Sequence, residues 1–348
     1  MSECEIYRDK GLTGLANLGN TCFLNTALQC LSHTYEFNNY LATGDFYKYL
    51  NKKVDSVLLK EYDELRKIIW ADNCKICPAK FVDIIRKIAK IKNRELFTGW
   101  AQNDLTEFLY FLFECFHEAS CREITMEIKG NAENEEDELA IKCYEMMKNM
   151  YTKEYSDILR IFYGISVTIS KTYNKDNLEL KEQNTIAEPF LMIELPIFRK
   201  VVEGHVSRQL PNIYQCIDLH TNVTTVIDND TIKKNLEIKY WSLPEILIIS
   251  FKRFDARLRK DNINIEFPLE DLNLSKYVCG YNKYQYVYDL YGVCNHTGNV
   301  MGGHYFAYIK NLNNKWYCFN DMMVEEINTD KIMSNTAYCL FYRKKKST

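Results

Sequence analysis

Turn-forming residues are scarce. The chain has 13 glycines and 6 prolines in 348 residues, too few for flexible linkers between independent modules, so one compact unit is expected. An excess of positive charge is also missing. Lysine and arginine total 44 against 47 acidic residues, a net charge of -3, which excludes the broad basic footprint of a nucleic-acid binder. Long apolar runs are absent: stretches such as Phe108–Phe113 fall far short of the roughly 20 residues that cross a bilayer. The opening Met-Ser-Glu-Cys-Glu-Ile-Tyr-Arg-Asp-Lys carries charge where a secretory leader needs an apolar core. These absences lead to the expectation of a soluble, cytoplasmic protein, with nuclear entry open, that binds neither nucleic acid nor membrane.

Disulfide density is missing as well. Thirteen cysteines in 348 residues lie well below the roughly 8–10% of short disulfide-stapled chains, and the number is odd. Reduced, mostly buried thiols are the default, and attention passes to any cysteine placed for chemistry. With 47% hydrophobic and 26% charged residues, the chain has material for a full core.

Apolar periodicity divides the chain in two. Up to about residue 160 it reads as helical. Phe23, Leu24, Ala27, Leu28 and Leu31 mark a helix over 22–31; Val54–Trp70 and Phe81–Ile91 mark two more. Leu105 starts another, with Phe108, Leu109, Leu112, Phe113 and Phe116 on one stripe. Asp104 and Glu107 stand at its start in capping-box spacing. The acidic run Asn131–Glu138 reads as a solvated loop or frayed helix start. From Ile161 the texture becomes short β-rich runs: 165–169, 190–195, 246–251, 286–293 and 305–310. Helices followed by strands argue for an α+β fold, an antiparallel sheet packed on helices with a cleft between them.

Two segments carry chemistry. Cys22 follows a Gly/Asn-rich loop and opens the first helix, where unpaired amides and the helix dipole favour a thiolate. The same amides, together with the side chain of Asn17, could stabilise an oxyanion. Of six histidines, His304 follows Gly302-Gly303 and opens an alternating strand, Tyr305–Lys310; a second strand, Lys315–Asp321, follows an Asn-rich turn. A three-residue turn sets His304 opposite Asn320, and a four-residue turn sets it opposite Asp321. Either partner could hold the imidazole in the tautomer a general base needs, giving a Cys-His-Asn/Asp arrangement.

The segments Gly-Leu-Ala-Asn-Leu-Gly-Asn-Thr-Cys-Phe-Leu-Asn, Gly-Gly-His-Tyr-Phe-Ala-Tyr and Trp-Tyr-Cys-Phe-Asn-Asp together resemble the ubiquitin-specific protease family of deubiquitinating enzymes. So do Gln102–Leu109, Leu243–Phe254, Phe267-Pro268 and Asn295–Gly298, in family order. The resemblance spans residues 11 to about 330. It implies a papain-like cysteine protease with right-hand architecture: a helical thumb (11–157), β fingers with part of the palm (158–250) and an antiparallel β palm carrying the histidine (251–345), all in one catalytic domain.

By the same resemblance Cys22 is the nucleophile, His304 the general base, Asn320 the third triad member and Asn17 the oxyanion donor, with Asp321 able to share the orienting role. Gln102 and Asp104 match positions that support the site and contact the ubiquitin tail. Gly302, Gly303 and Tyr305, with the loop Thr297–Met301, are expected to shape a channel for a Gly-Gly terminus. The reaction implied is hydrolysis of the bond after the C-terminal glycine of ubiquitin through an acyl-enzyme. Ubiquitin, polyubiquitin or ubiquitinated proteins are the expected partners of a monomeric enzyme.

One departure matters. Many members of the family this chain resembles bind a structural zinc with two CxxC pairs in the fingers, but Ser170 and Tyr173 stand where the first pair would fall, and His220–Tyr240 has no cysteine. No cofactor and no fingers zinc are expected. The lone CxxC, Cys74-Lys-Ile-Cys77, lies in the thumb region without further ligands and is read as incidental thiols.

Overall fold

The computed structural model describes residues 6–174, 179–202, 205–206, 209–228, 232–299 and 302–346. Eight α-helices are used below: α1 (Cys22–Ser32), α2 (Tyr35–Ala42), α3 (Asp55–Ala71), α4 (Ala79–Ile91), α5 (Leu105–Ser120), α6 (Glu135–Glu154), α7 (Asp157–Phe162) and α8 (Ile213–Thr221). The strands are β1 (Gly14–Leu15), β2 (Lys75–Ile76), β3 (Gly164–Asn174), β4 (Leu180–Phe190), β5 (Met192–Leu195), β6 (Val201–Val202), β7 (His205–Val206) and β8 (Thr224–Asp228). They continue with β9 (Ile232–Ser242), β10 (Ile246–Phe251), β11 (Leu272–Asn273), β12 (Val287–Asn299), β13 (Gly302–Lys310), β14 (Trp316–Asn320), β15 (Met323–Ile327) and β16 (Ala337–Lys344).

The helices expected at 22–31, 54–70, 81–91 and from 105 are α1, α3, α4 and α5, each within two residues at its start. The acidic run is a helix start, but of a long helix. Asn134 caps α6 by accepting from the Asp137 N–H, and Glu135–Glu138 fill its first turn, where negative charge meets the positive end of the dipole. The spacing at 104–107 yields half a box: Asp104 caps α5 by accepting from the N–H groups of Thr106 and Glu107. A complete reciprocal box forms at α8, between Asn212 and Gln215.

Strand order in the eight-stranded sheet is β15-β14-β13-β12-β16-β10-β5, with β11 paired to β12. All its pairs are antiparallel except β10 with β5. The sheet is covered on both faces. Ile246 and Ile248 of β10 join the core under α1 and α5, whereas Leu247 and Ile249 pack towards α8. That double burial explains why this strand reads as continuously apolar instead of alternating. A second, four-stranded sheet, β4-β3-β9-β8, leaves most of β4 exposed and takes α6 against one face through Ala140, Cys143, Val167 and Trp241. No helix among the described residues is long and apolar enough to cross a membrane.

Helix α1 is buried along its whole length, not on one face, so its polar residues must find partners inside. Gln29 donates to the Thr13 carbonyl at 2.8 Å, and Asn25 donates to the Leu15 and Ala16 carbonyls, each at 3.3 Å. The helix is thereby tied to β1 and to the loop that carries Asn17.

Candidate active site

The site lies where the N-terminus of α1 meets β13. Cys22 is buried, and the Tyr305 backbone N–H points at its sulfur. One residue earlier on the strand, His304 Nε2 lies 2.6 Å from Asn320 Oδ1 on β14. A carboxamide oxygen only accepts, so Nε2 carries the proton and Nδ1 is the basic nitrogen of the neutral ring.

Neither hairpin register considered from the sequence is the observed one. Lys310 pairs with Trp316 and Ala307 with Phe319, which leaves a five-residue connection, Asn311–Lys315. Asparagine side chains lengthen it: Asn311 Oδ1 accepts from the Asn313 N–H, Asn313 Oδ1 accepts from the Lys315 N–H, and Asn314 takes φ 65°. Continued one step beyond Ala307 and Phe319, this register sets Asn320 opposite Phe306, two residues beyond His304. Asn320 therefore shares the face of His304 and reaches it diagonally.

Asp321 leaves that face because the chain turns there. Asn320 pairs with Met323 across a two-residue turn, and Asp321 takes φ 50°. Its carboxylate accepts from Asn17 Nδ2 at 3.0 Å and from Asn25 Nδ2 at 2.8 Å. It engages the Asn17 loop, not the imidazole. Asn17 Oδ1 accepts in turn from the Gly19 and Thr21 N–H groups, so both ends of this carboxamide are held.

The electrostatics of Cys22 differ from the sequence expectation. Burial pushes its thiol up, and the negative charge of Asp321 adds to the rise. The N–H groups of Tyr305, Phe23 and Cys22 itself oppose the rise without cancelling it. The helix terminus therefore lowers the cost of a thiolate, but the resting group is the thiol.

Gln102 and Asp104 sit opposite β13. The Gln102 carboxamide makes two bonds to one residue: Nε2 donates to the Gly303 carbonyl at 3.0 Å and Oε1 accepts the Gly303 N–H at 2.7 Å. Asp104 caps α5 and also accepts from Tyr338 (2.5 Å) and Tyr305 (3.4 Å) hydroxyls; burial first, then this carboxylate, pushes both phenols up. A Cβ on Gly303 would meet His296 Nε2 at 2.2 Å and the Thr297 carbonyl at 2.5 Å, whereas Gly302 faces only Gln102 Oε1, at 3.9 Å. The crowding that requires glycine at 303 thus comes from the neighbouring strand β12. Val300 and Met301 of the expected channel loop lie outside the described residues.

Cys74 and Cys77 are both exposed free thiols flanking β2. Ser170 and Tyr173 lie on β3. Among the described residues no group of three or more His, Cys, Asp or Glu side chains is arranged to hold a metal ion. Sequence reasoning missed Asn25 and Tyr338. Asn25 had a signal, a polar residue one turn after Cys22 within an apolar helix; Tyr338 had none.

The family model described as ubiquitin carboxyl-terminal hydrolase matches residues 13–342. This chain belongs to that family. It is 32% identical over 357 residues to ubiquitin carboxyl-terminal hydrolase 2 of Bos taurus, with 96% of this chain and 55% of that protein covered. The chain thus spans little more than half the length of that relative. The Gallus gallus ubiquitin carboxyl-terminal hydrolase 2 is also 32% identical, with 96% of this chain and 93% of that protein covered. Among solved structures, the Ubp8/Sgf11/Sus1/Sgf73 DUB module bound to ubiquitin aldehyde aligns with a TM-score of 0.71 at 22% identity, covering 99% of this chain and 71% of that one. That likeness speaks to fold, and it gives this family member the papain-like architecture of its relatives.

Proposed function

We propose that the chain is a thiol-dependent deubiquitinase, cleaving the isopeptide or peptide bond after the C-terminal glycine of ubiquitin. The observation that carries this reading is the His304–Asn320 bond of 2.6 Å on the strand whose next N–H reaches Cys22. Family membership supports the substrate class.

In this reading His304 Nδ1 takes the thiol proton as Cys22 attacks the glycine carbonyl carbon. The carbonyl oxygen becomes an oxyanion, held by the Cys22 N–H and by the Asn17 Nδ2 proton that Asp321 does not use. Collapse of the intermediate expels the amine, which takes its proton from His304 and leaves a thioester on Cys22. Water, deprotonated by His304, then releases ubiquitin. Asn320 keeps the ring in the required tautomer, and Gln102, Asp104, Gly302, Gly303 and Tyr305 wall the approach of the tail. The enzyme acts as a monomer in the cytoplasm or nucleus, without nucleic acid, membrane or metal.

The test is incubation with a panel of modifiers that carry a C-terminal electrophile. A covalent adduct with ubiquitin, mapped to Cys22, is expected. An adduct only with a ubiquitin-like modifier would change the substrate, and ubiquitin binding without any adduct would make the chain a non-catalytic receptor.

A further inference from the structure

We infer that Asn25 is a positioning residue for the oxyanion donor, acting through Asp321 on Asn17; the inference rests on the reading of the site given above. Asn25 is 2% exposed and lies on α1 one turn after Cys22. Its Nδ2 faces three acceptors: Asp321 Oδ1 at 2.8 Å and the Leu15 and Ala16 carbonyls at 3.3 Å. Because all three accept, the amide can face them only nitrogen first. Its Oδ1 is then left buried without a partner among the described residues. A native interior rarely leaves a carbonyl in that state, so the double donor is what this position retains.

The donor has one consequential target. Asp321 Oδ2 accepts from Asn17 Nδ2 while Asp321 Oδ1 accepts from Asn25, so the carboxylate is a bridge with one end on α1 and the other on Asn17. The chain around it is fixed from both sides. The Leu15 N–H donates to the Asp321 carbonyl at 2.9 Å, and the Gly14 and Ala16 N–H groups donate to the carbonyls of Cys74 and Ile76. Removing the Asn25 donor would leave Asp321 held at one oxygen only and free to rotate, and Asn17 would lose its registration against the helix that carries Cys22. An oxyanion donor displaced by a fraction of an ångström loses much of its value in the transition state while the ground state is hardly affected.

Asn25→Asp makes this testable in a way that a packing role does not. Two carboxylates then face each other and share a proton at low pH, and that proton restores a donor to Asp321; at higher pH both ionise and repel. Cys22, whose thiol senses the charge of Asp321, is the titratable neighbour at the start of the same helix. With a fluorogenic ubiquitin C-terminal amide, N25D should show kcat about 10- to 100-fold below wild type at pH 8, with KM unchanged, and should recover most of the difference by about pH 6. N25L, which has no donor at any pH, should show the loss without the recovery. Both should bind uncleaved ubiquitin like wild type but ubiquitin aldehyde, whose adduct oxygen occupies the oxyanion position, more weakly.

A constant N25D to wild-type ratio across pH, or an N25L that folds with wild-type kcat, would overturn the inference. Should N25D not fold, Asn25→Ser, small and neutral, carries the same kcat and aldehyde comparison. Failure of wild type to cleave ubiquitin would sink the functional reading instead. The Asn17 carboxamide resonances in NMR, expected to be distinct in wild type and shifted towards free-amide values in N25L, test the Asn25 inference without turnover, and unchanged resonances would refute it.

Discussion

The cleft between α1 and β13 and the four-stranded sheet β4-β3-β9-β8 are built on opposite terms. At the cleft, polar side chains are sunk into the core and tied to fixed acceptors: Asn25 and Gln29 are each 2% exposed and donate to the carbonyls of Leu15, Ala16 and Thr13. On the four-stranded sheet most of β4 is open to solvent, and one helix covers one face. The difference separates two demands. Chemistry needs groups held in one geometry, which costs buried polar atoms and therefore many partners. A sheet that only presents a surface can vary its residues as long as its ladder persists, and Ser170 and Tyr173, which stand where the family resemblance would put a cysteine pair, lie on it.

The first way to break that comparison is to remove a single atom from the cleft. Cys22→Ala should lower turnover by about 10⁴-fold or more while ubiquitin binding persists, measured by steady-state cleavage and by titration. Comparable turnover in this variant would end the assignment. Next in size, Asn320→Ala should cost about 10²-fold in kcat, because the tautomer of His304 is released. Asp321→Ala should also reduce kcat, by less, while leaving the His304–Asn320 bond in place, since Asp321 holds Asn17 and not the imidazole. A structure in which Asp321 bonds His304 directly, or an Asp321→Ala loss far larger than that of Asn320→Ala, would reverse the order.

The resting thiol offers a pH test. Thiolate is the reactive form, and Cys22 is raised above its ordinary value of 9.0 by burial and by Asp321. Its alkylation by iodoacetamide should therefore keep climbing with pH beyond about 10, where an unshifted thiol would level off. A plateau near pH 7 would mean that the N–H groups around the sulfur outweigh burial.

Stability sharpens the same contrast. Leu28→Ala, at a fully buried position of α1, should cost about 2–5 kcal/mol in denaturant unfolding. Ile186→Ala on β4, 48% exposed, should stay within about 0.5 kcal/mol. The smallest effect is expected of metal removal. Chelators should change neither melting temperature nor rate, and about one zinc per chain by elemental analysis would contradict this.

How much was legible in the sequence follows the same division. Cys22, His304 and Asn320 could be found because their chemistry demands specific residue types at a helix start and on two adjacent strands. The hairpin register could not, because side-chain bonds from Asn311 and Asn313 extend the turn to five residues, which a count of turn formers does not reveal. The parity argument for Asn320 survived since a shift of two positions preserves the face. Asp321 was expected to be able to share the orienting role, but its partners are Asn17 and Asn25, hundreds of residues distant in sequence. Strand β4 went unread because its exposed, polar residues give no periodic apolar signal, and α6 was hidden by its acidic start.

The exposed pair Cys74 and Cys77 has a practical consequence at the bench. A maleimide or disulfide dye added to the folded protein near neutral pH should label these two sulfurs before it reaches the occluded Cys22. Active sites counted by general thiol labelling would be overestimated, and a labelled preparation could remain fully active. Counting by a probe that must dock as a ubiquitin tail avoids the error. Replacing both exposed sulfurs with serine would remove their background from a thiol-labelling measurement of the cleft.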